Sequence, residues 1–183
     1  MDFKKVLKII ISEFDKQDIR YGLIGGFALG VLGISRTTVD LDFLVLKDDL
    51  EKVEKIMATV GYNCIYKTEN VSQYVSPLKV LGEIDFLHAF RKASRSMLKR
   101  MIEKNIFSSE MKINVIAPED IIGLKLQAMV NDPSREMMDL LDLEKLMAHY
   151  QCRLNWELIE EYFELFEMMD KFMELKGKYG DIN

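Results

Sequence analysis

Cysteine, proline and long apolar runs are all scarce in this sequence, and each scarcity removes a class of protein. Cys64 and Cys152 are the only cysteines. They lie far apart with no C-x-x-C spacing, so a disulfide scaffold is excluded and both read as ordinary thiols. Three prolines and 10 glycines in 183 residues rule out collagen-like and low-complexity chains. Nowhere do 18 uncharged apolar residues run together, and the opening MDFKKVLKIIISEFDKQ has neither a secretory h-region nor a small-residue cleavage site. A cytoplasmic location without a membrane partner is the expectation. The 2 histidines show no paired ligand spacing, which argues against zinc. A net charge of -5 argues against a protein that coats nucleic acid nonspecifically, though it leaves room for a local basic patch.

What is present is an ordinary core composition, 49% apolar, enough for one domain or a domain with a helical appendage. Phe3, Val6, Leu7, Ile10, Ile11 and Phe14 recur at three- and four-residue steps and predict an amphipathic helix. Tyr21 to Ile24 predicts a short strand ending at Gly25-Gly26, with a helix from Phe27 to Leu32 and a second strand over Leu41 to Leu46. Asp48 is placed to cap a helix that Gly61 stops. The runs NCIYKT, SQYVSPLKVL and EIDFLHAF predict strands extending a mixed sheet. Arg91, Lys92, Arg95, Lys99, Arg100 and Lys104 then fall in one predicted basic helix over 91–104, before a strand at KINVIA. Pro118 opens a helix, Asn131-Asp132-Pro133 breaks it, and a further helix runs to Tyr150; Asn155 caps a last one. The expected fold is α+β, with a core over 1–117 and a helical part over 118–183.

Asp40 and Asp42 stand out, because LDFLVL otherwise wants to be buried. Residues i and i+2 of a strand share a face, so the two carboxylates lie side by side while Leu41, Phe43 and Val45 point inward. Such neighbours resist joint ionisation, and a divalent cation removes the conflict. Mg²⁺, or Mn²⁺, suits hard oxygen ligands shared with substrate phosphates. The plainer reading is an acidic strand end blunting a sheet edge. Asp85 in EIDF offers a third carboxylate in the same apolar setting, and Gly25-Gly26 between strand and helix offers backbone N–H groups to phosphate.

LIGGFALG, then TTVDLDFLV with thirteen residues between Gly26 and Asp40, then EIDF, resembles the nucleotidyltransferase superfamily typified by DNA polymerase beta. APEDIIGLKLQAMVNDPSREMMDLLDLEKL is similar to the stretch that follows the core in AbiEii-like and MenT-like nucleotidyltransferases. The resemblance, over most of residues 20–147, implies a polymerase beta-like mixed sheet flanked by helices. It implies transfer of a nucleoside monophosphate from an NTP to an acceptor hydroxyl by a two-metal mechanism. Asp40, Asp42 and Asp85 would be catalytic and metal-binding; Gly25, Gly26, Arg36, Lys125, Arg135 and Asp139 would contact nucleotide, with Asp142 a further candidate. The acceptor would be tRNA or protein, as for a toxin of a toxin–antitoxin pair. GGFA also looks like the opening of some aminoglycoside nucleotidyltransferases, which keeps a small-molecule acceptor open; the other alternative is a non-catalytic nucleotide-binding or interaction module, against which the intact Asp40, Asp42 and Asp85 set argues. Phe27 stands where those families often carry Ser, and Met138 where a basic residue often precedes the aspartate.

Second readings accompany the remaining residues. Arg36 either reaches the triphosphate or neutralises the acidic cluster. Lys125 lies on an apolar helix stripe and wants an anion there, a triphosphate or a carboxylate such as Asp139, unless it snorkels. Arg135, Asp139 and Asp142 share a face by i, i+4 and i+7 spacing, so an intrahelical ion pair is the alternative to a site role. Arg91, Arg95 and Lys99 would guide an RNA acceptor, or form a solvated face. His88 would line the site or pack under it. Trp156, Ile159, Phe163 and Phe166, beside Leu158, Tyr162, Leu165 and Met169, would serve a homodimer or partner protein, or simply a helical core.

Overall fold

A computed structural model describes residues 1–180 of the chain. They divide into two compact units: Met1–Val31 with Ser35–Ile116, and Leu32–Ile34 with Ala117–Asn183, the latter described up to residue 180. The architecture is α+β, as expected.

The first unit runs α1 (Phe3–Lys16), β1 (Tyr21–Ile24), α2 (Gly25–Val31), β2 (Leu41–Leu46), α3 (Leu50–Thr59), β3 (Asn63–Lys67), β4 (Val71–Val75), β5 (Glu83–Ala89), α4 (Lys92–Met97), β6 (Ile102–Ile106) and β7 (Met111–Val115). The strands form one mixed sheet in the order β3-β4-β5-β2-β1-β7-β6. β2 is parallel to β5 and antiparallel to β1, and β1 is parallel to β7. One sheet face is apolar because Phe43, Phe86 and Tyr74 fall in alternate positions of adjacent strands. Phe14 of α1 packs on it, with ring centroids 6.0 Å from Phe43 and 6.1 Å from Phe86. Val6, Leu7, Ile10, Ile11 and Phe14 are the buried positions of α1, the face that the periodicity predicts.

Four local expectations are corrected. The basic helix over 91–104 is short: α4 ends at Met97, and Ile102–Ile106 is a strand paired antiparallel with β7. Its cations therefore divide among a helix, a turn and a strand instead of sharing one face. A charge count cannot see that Ile102 and Ile106 pair with Val115 and Met111, a tertiary choice that overrides helical propensity. Asp48 caps nothing; it lies in a 3-10 turn over Lys47–Asp49 and pairs with Arg95 at 3.0 Å. SQYVSPLKVL is strand only to Val75, since Pro77 has no N–H for a ladder and the chain turns back through Ser76 N–H to the Gly82 carbonyl, 3.1 Å. The helix after the first strand begins at Gly25 and not after the glycines.

The second unit contains α5 (Pro118–Asn131), α6 (Glu136–Tyr150), α7 (Trp156–Leu165) and α8 (Met169–Tyr179). Pro118 holds the N-terminal position of α5, and Asn155 caps α7 by accepting from the Leu158 N–H at 3.1 Å. The expected single last helix is two. Glu167 turns the chain with φ of 58°, and Phe163 on α7 meets Phe172 on α8 at 5.5 Å between ring centroids. Ile159, Tyr162 and Phe163 are buried, so most of the apolar stripe of α7 is core of this unit; Leu165 remains 63% exposed. No helix among the described residues is long and apolar enough to cross a membrane.

Candidate active site

The parallel pairing of β2 with β5 sets Asp42 directly opposite Asp85. Paired residues share a face, and here it is the one opposite Phe43 and Phe86. Both aspartates are half-buried. Ionised carboxylates on adjacent strands of one face repel each other and resist joint ionisation. Burial pushes the Asp85 carboxyl above the ordinary carboxylate range and the charges of Asp40 and Glu83 add to this, against a hydrogen bond from Gln73 that pulls it down. That bond runs from Gln73 Nε2 to Asp85 Oδ2 at 2.9 Å, across the β4–β5 pair.

Asp40 precedes β2 in a bend, and its Oδ1 accepts from Thr38 Oγ1 at 2.6 Å. It is therefore not a strand partner of Asp42 in the sense the alternation implies. Its charge nevertheless acts on Asp85.

The glycine pair explains itself here. Gly25 has φ of 69°, and a Cβ there would lie 1.9 Å from Asp42 Oδ2. A Cβ on Gly26 would lie 2.7 Å from Thr38 Oγ1 and 3.7 Å from Arg36 Cγ. Both glycines are the space into which the Arg36–Asp42 segment closes. The first turn of α2 is thereby brought against the Asp42 carboxylate and the Thr38 hydroxyl, with Arg36 alongside. Phe27, which stands where a phosphate-gripping hydroxyl is common, packs on Phe3 at 4.9 Å between ring centroids. Thr38 places a hydroxyl at this turn from the other side, a residue that sequence reasoning passed over because it lies twelve positions from Gly26.

Among the described residues, no group of three or more His, Cys, Asp or Glu side chains is arranged to hold a metal ion by itself. Asp42 and Asp85 nonetheless supply an abreast pair of hard oxygen donors, the set with which Mg²⁺ is bound when substrate phosphates and water complete its shell.

Four further candidates come together within the helical unit. Lys125 Nζ lies 2.8 Å from both Asp139 Oδ1 and Asp142 Oδ2, and Arg135 Nε lies 3.0 Å from Asp139 Oδ2. Lys125 is 12% exposed and both aspartates almost wholly buried, so the anion that an inward lysine needs is carboxylate. Burial would push Asp139 up, but the hydrogen bonds from Arg135 and Lys125 outweigh it and hold its carboxyl below the usual range.

His88 packs under the sheet: Nδ1 meets the Glu69 carbonyl at 2.9 Å and Nε2 meets Ser72 Oγ at 3.0 Å. Arg91, Arg95 and Lys99 are exposed.

A family model described as "Nucleotidyl transferase AbiEii toxin, Type IV TA system" matches residues 13–176, nearly all of the chain. The chain belongs to the AbiEii nucleotidyltransferase family. The solution structure of the antibiotic-resistance factor ANT(2'')-Ia is similar to this AbiEii-family chain with a TM-score of 0.65, at 14% identity, covering 97% of this chain and 99% of that one. A lincomycin-bound lincosamide antibiotic adenylyltransferase, LnuA, is similar with a TM-score of 0.55 at 18% identity, covering 78% and 94%. These likenesses show the nucleotidyltransferase fold. The chain is also 28% identical over 144 residues to a D-alanine–D-alanine ligase of Thermoanaerobacter sp. (strain X514), covering 74% of this chain. It spans 40% of the length of that relative.

Proposed function

We propose that this AbiEii-family nucleotidyltransferase moves a nucleoside monophosphate from an NTP to an acceptor hydroxyl, with release of pyrophosphate. The observation that carries the reading is Asp42, abreast of Asp85 on one side and pressed against the Gly25 turn on the other. Backbone N–H groups of that turn, with Arg36 and the Thr38 hydroxyl, would receive the triphosphate. Asp42 and Asp85, with Asp40 beside them, would hold Mg²⁺ or Mn²⁺, which would supply positive charge to the substrate phosphates. Asp85 accepts the proton of the attacking hydroxyl, the new O–P bond forms at the α-phosphorus, and the electron pair of the broken bond leaves with pyrophosphate. Lys125, Arg135 and Asp139, which the resemblance assigns to nucleotide, are engaged with one another and with Asp142 inside the helical unit.

The acceptor has two candidate classes. The family description, a toxin of a type IV toxin–antitoxin system, supports a toxin's target, which we read as tRNA or protein. The structural likeness to ANT(2'')-Ia, also solved with adenylyl-2''-tobramycin, favours an aminoglycoside.

Incubation with each α-labelled NTP, Mg²⁺ or Mn²⁺, and tRNA, protein or aminoglycoside acceptors tests the reading. Label transfer is expected in the wild type and not in Asp42→Asn. Transfer that survives the substitution would remove Asp42 from the mechanism.

A further inference from the structure

Asp42 and Asp85 are two members of a longer row. Ile24 on β1 pairs with Asp42, Asp42 with Asp85, Asp85 with Gln73 on β4, and Gln73 with Tyr66 on β3. Register partners face the same way, and β3, which carries a bulge between Cys64 and Tyr66, regains register in the Tyr66–Gln73 and Lys67–Ser72 pairs, so this line crosses five strands on one sheet face. Lys67 confirms the parity of β3: it pairs with Ser72 in the ladder and with Glu54 of α3 by an ion pair, on the opposite face. The row has a direction. At its β1 end the chain runs straight into Gly25, the phosphate side of the proposed site. At its β3 end stands Tyr66, 51% exposed on an edge strand whose five residues are all exposed.

In a phosphoryl transfer the leaving and attacking oxygens lie on opposite sides of phosphorus, roughly in line. With pyrophosphate leaving on the Gly25 side of Asp42, the attacking hydroxyl arrives from the Asp85 side, and the rest of the acceptor extends over β4 and β3. We propose that Gln73 and Tyr66 form the acceptor side of this site, a deduction that rests on the function proposed above. Gln73 is a positioning residue: by donating to Oδ2 it fixes the Asp85 carboxylate and directs the other oxygen to the acceptor hydroxyl. Tyr66 presents its ring to a ring of the acceptor, a nucleobase or an aminosugar, at two strand spacings from Asp85, about 10 Å. That span matches a hydroxyl and a neighbouring ring of one small acceptor unit. The register also gives Gln73 a polar partner, Asp85, on a face where its β4 neighbours are Val71 and Val75.

The test uses the full chain with Mg²⁺, each α-labelled NTP, and either unfractionated tRNA or tobramycin as acceptor; the arm that takes label identifies the source of the ring. Tyr66→Ala is expected to raise the acceptor KM about tenfold, as for loss of one stacked ring, while kcat, NTP KM and equilibrium Mg·NTP binding hold. Gln73→Leu is expected to lower kcat about tenfold or more through a misdirected carboxylate, leaving both KM values and NTP binding unchanged. Gln73→His, which keeps an N–H donor, should recover part of the loss. Wild-type kinetics in both Tyr66→Ala and Gln73→Leu would overturn the proposal, as would a rise in NTP KM in place of acceptor KM. A wild type that labels neither of these acceptors overturns the proposal, and one that labels no protein either removes the function on which it rests, a failure distinct from transfer indifferent to Tyr66 and Gln73.

Discussion

Gly25 and Asp42 occupy one volume: the carboxylate Oδ2 of Asp42 stands 1.9 Å from the point where a Cβ on Gly25 would lie. Real carbon and oxygen atoms cannot approach so closely, and φ of 69° independently disfavours a side chain. Gly25→Ala should therefore displace Asp42 and reduce nucleotidyl transfer by about a hundredfold, the effect of roughly 1 Å of misplacement at a reacting centre. Kinetics, compared with the thermal midpoint, check it. Wild-type transfer by Gly25→Ala would contradict the close placement.

Chelation is expected to abolish label transfer, with recovery on adding Mg²⁺ or Mn²⁺. The thermal midpoint should fall as the cation is withdrawn, because an ion held only by the folded Asp42–Asp85 pair stabilises by mass action. Calorimetry with and without EDTA, beside the transfer assay, separates the two effects. Transfer that persists in EDTA would remove the cation from the mechanism.

Lys125→Ala leaves Asp139 and Asp142 buried without their shared ammonium. Breaking a buried ion pair from one side costs about 3–5 kcal/mol, and denaturant unfolding should show a loss of that size. Asp139 carries the linked pH dependence. Its native carboxyl titrates below its unfolded value of 3.8, so its contribution is fully present above that pH and is lost as the pH falls through the native value. In Asp139→Asn this acid limb should be smaller.

His88 adds a second limb at higher pH. Burial lowers its proton affinity, more than the Glu69 carbonyl restores it. The unfolded chain therefore takes up a proton below about pH 6.5 that the native chain refuses, and stability falls as the pH drops from there toward the native value. Between pH 7 and pH 5 the wild type should lose stability that His88→Gln does not. Parallel curves for the two proteins would refute the assignment.

The local signals read correctly are those whose physics is local. The three- and four-residue periodicity of α1, the glycines after β1, the apolar strand around Asp42, Pro118 at the start of α5 and the Asn155 cap all express themselves within a few residues. The readings that failed depended on distant partners. The stretch 91–104 carries enough charge to pass for an exposed helix, yet its second half pairs with Met111–Val115. The break at Glu167 went unread because neither Gly nor Pro marks it.

The sequence by itself determined the kind of fold, the family resemblance and the aspartates worth attention, because spacing and residue type carry those. Tertiary structure decided which groups meet. Parallel pairing set Asp42 against Asp85, antiparallel pairing added Gln73 and Tyr66, and loop closure delivered Thr38 to Gly26. Register is a property of two strands together, fixed by the burial of Phe43, Phe86 and Tyr74 on the opposite face, and no single segment contains it.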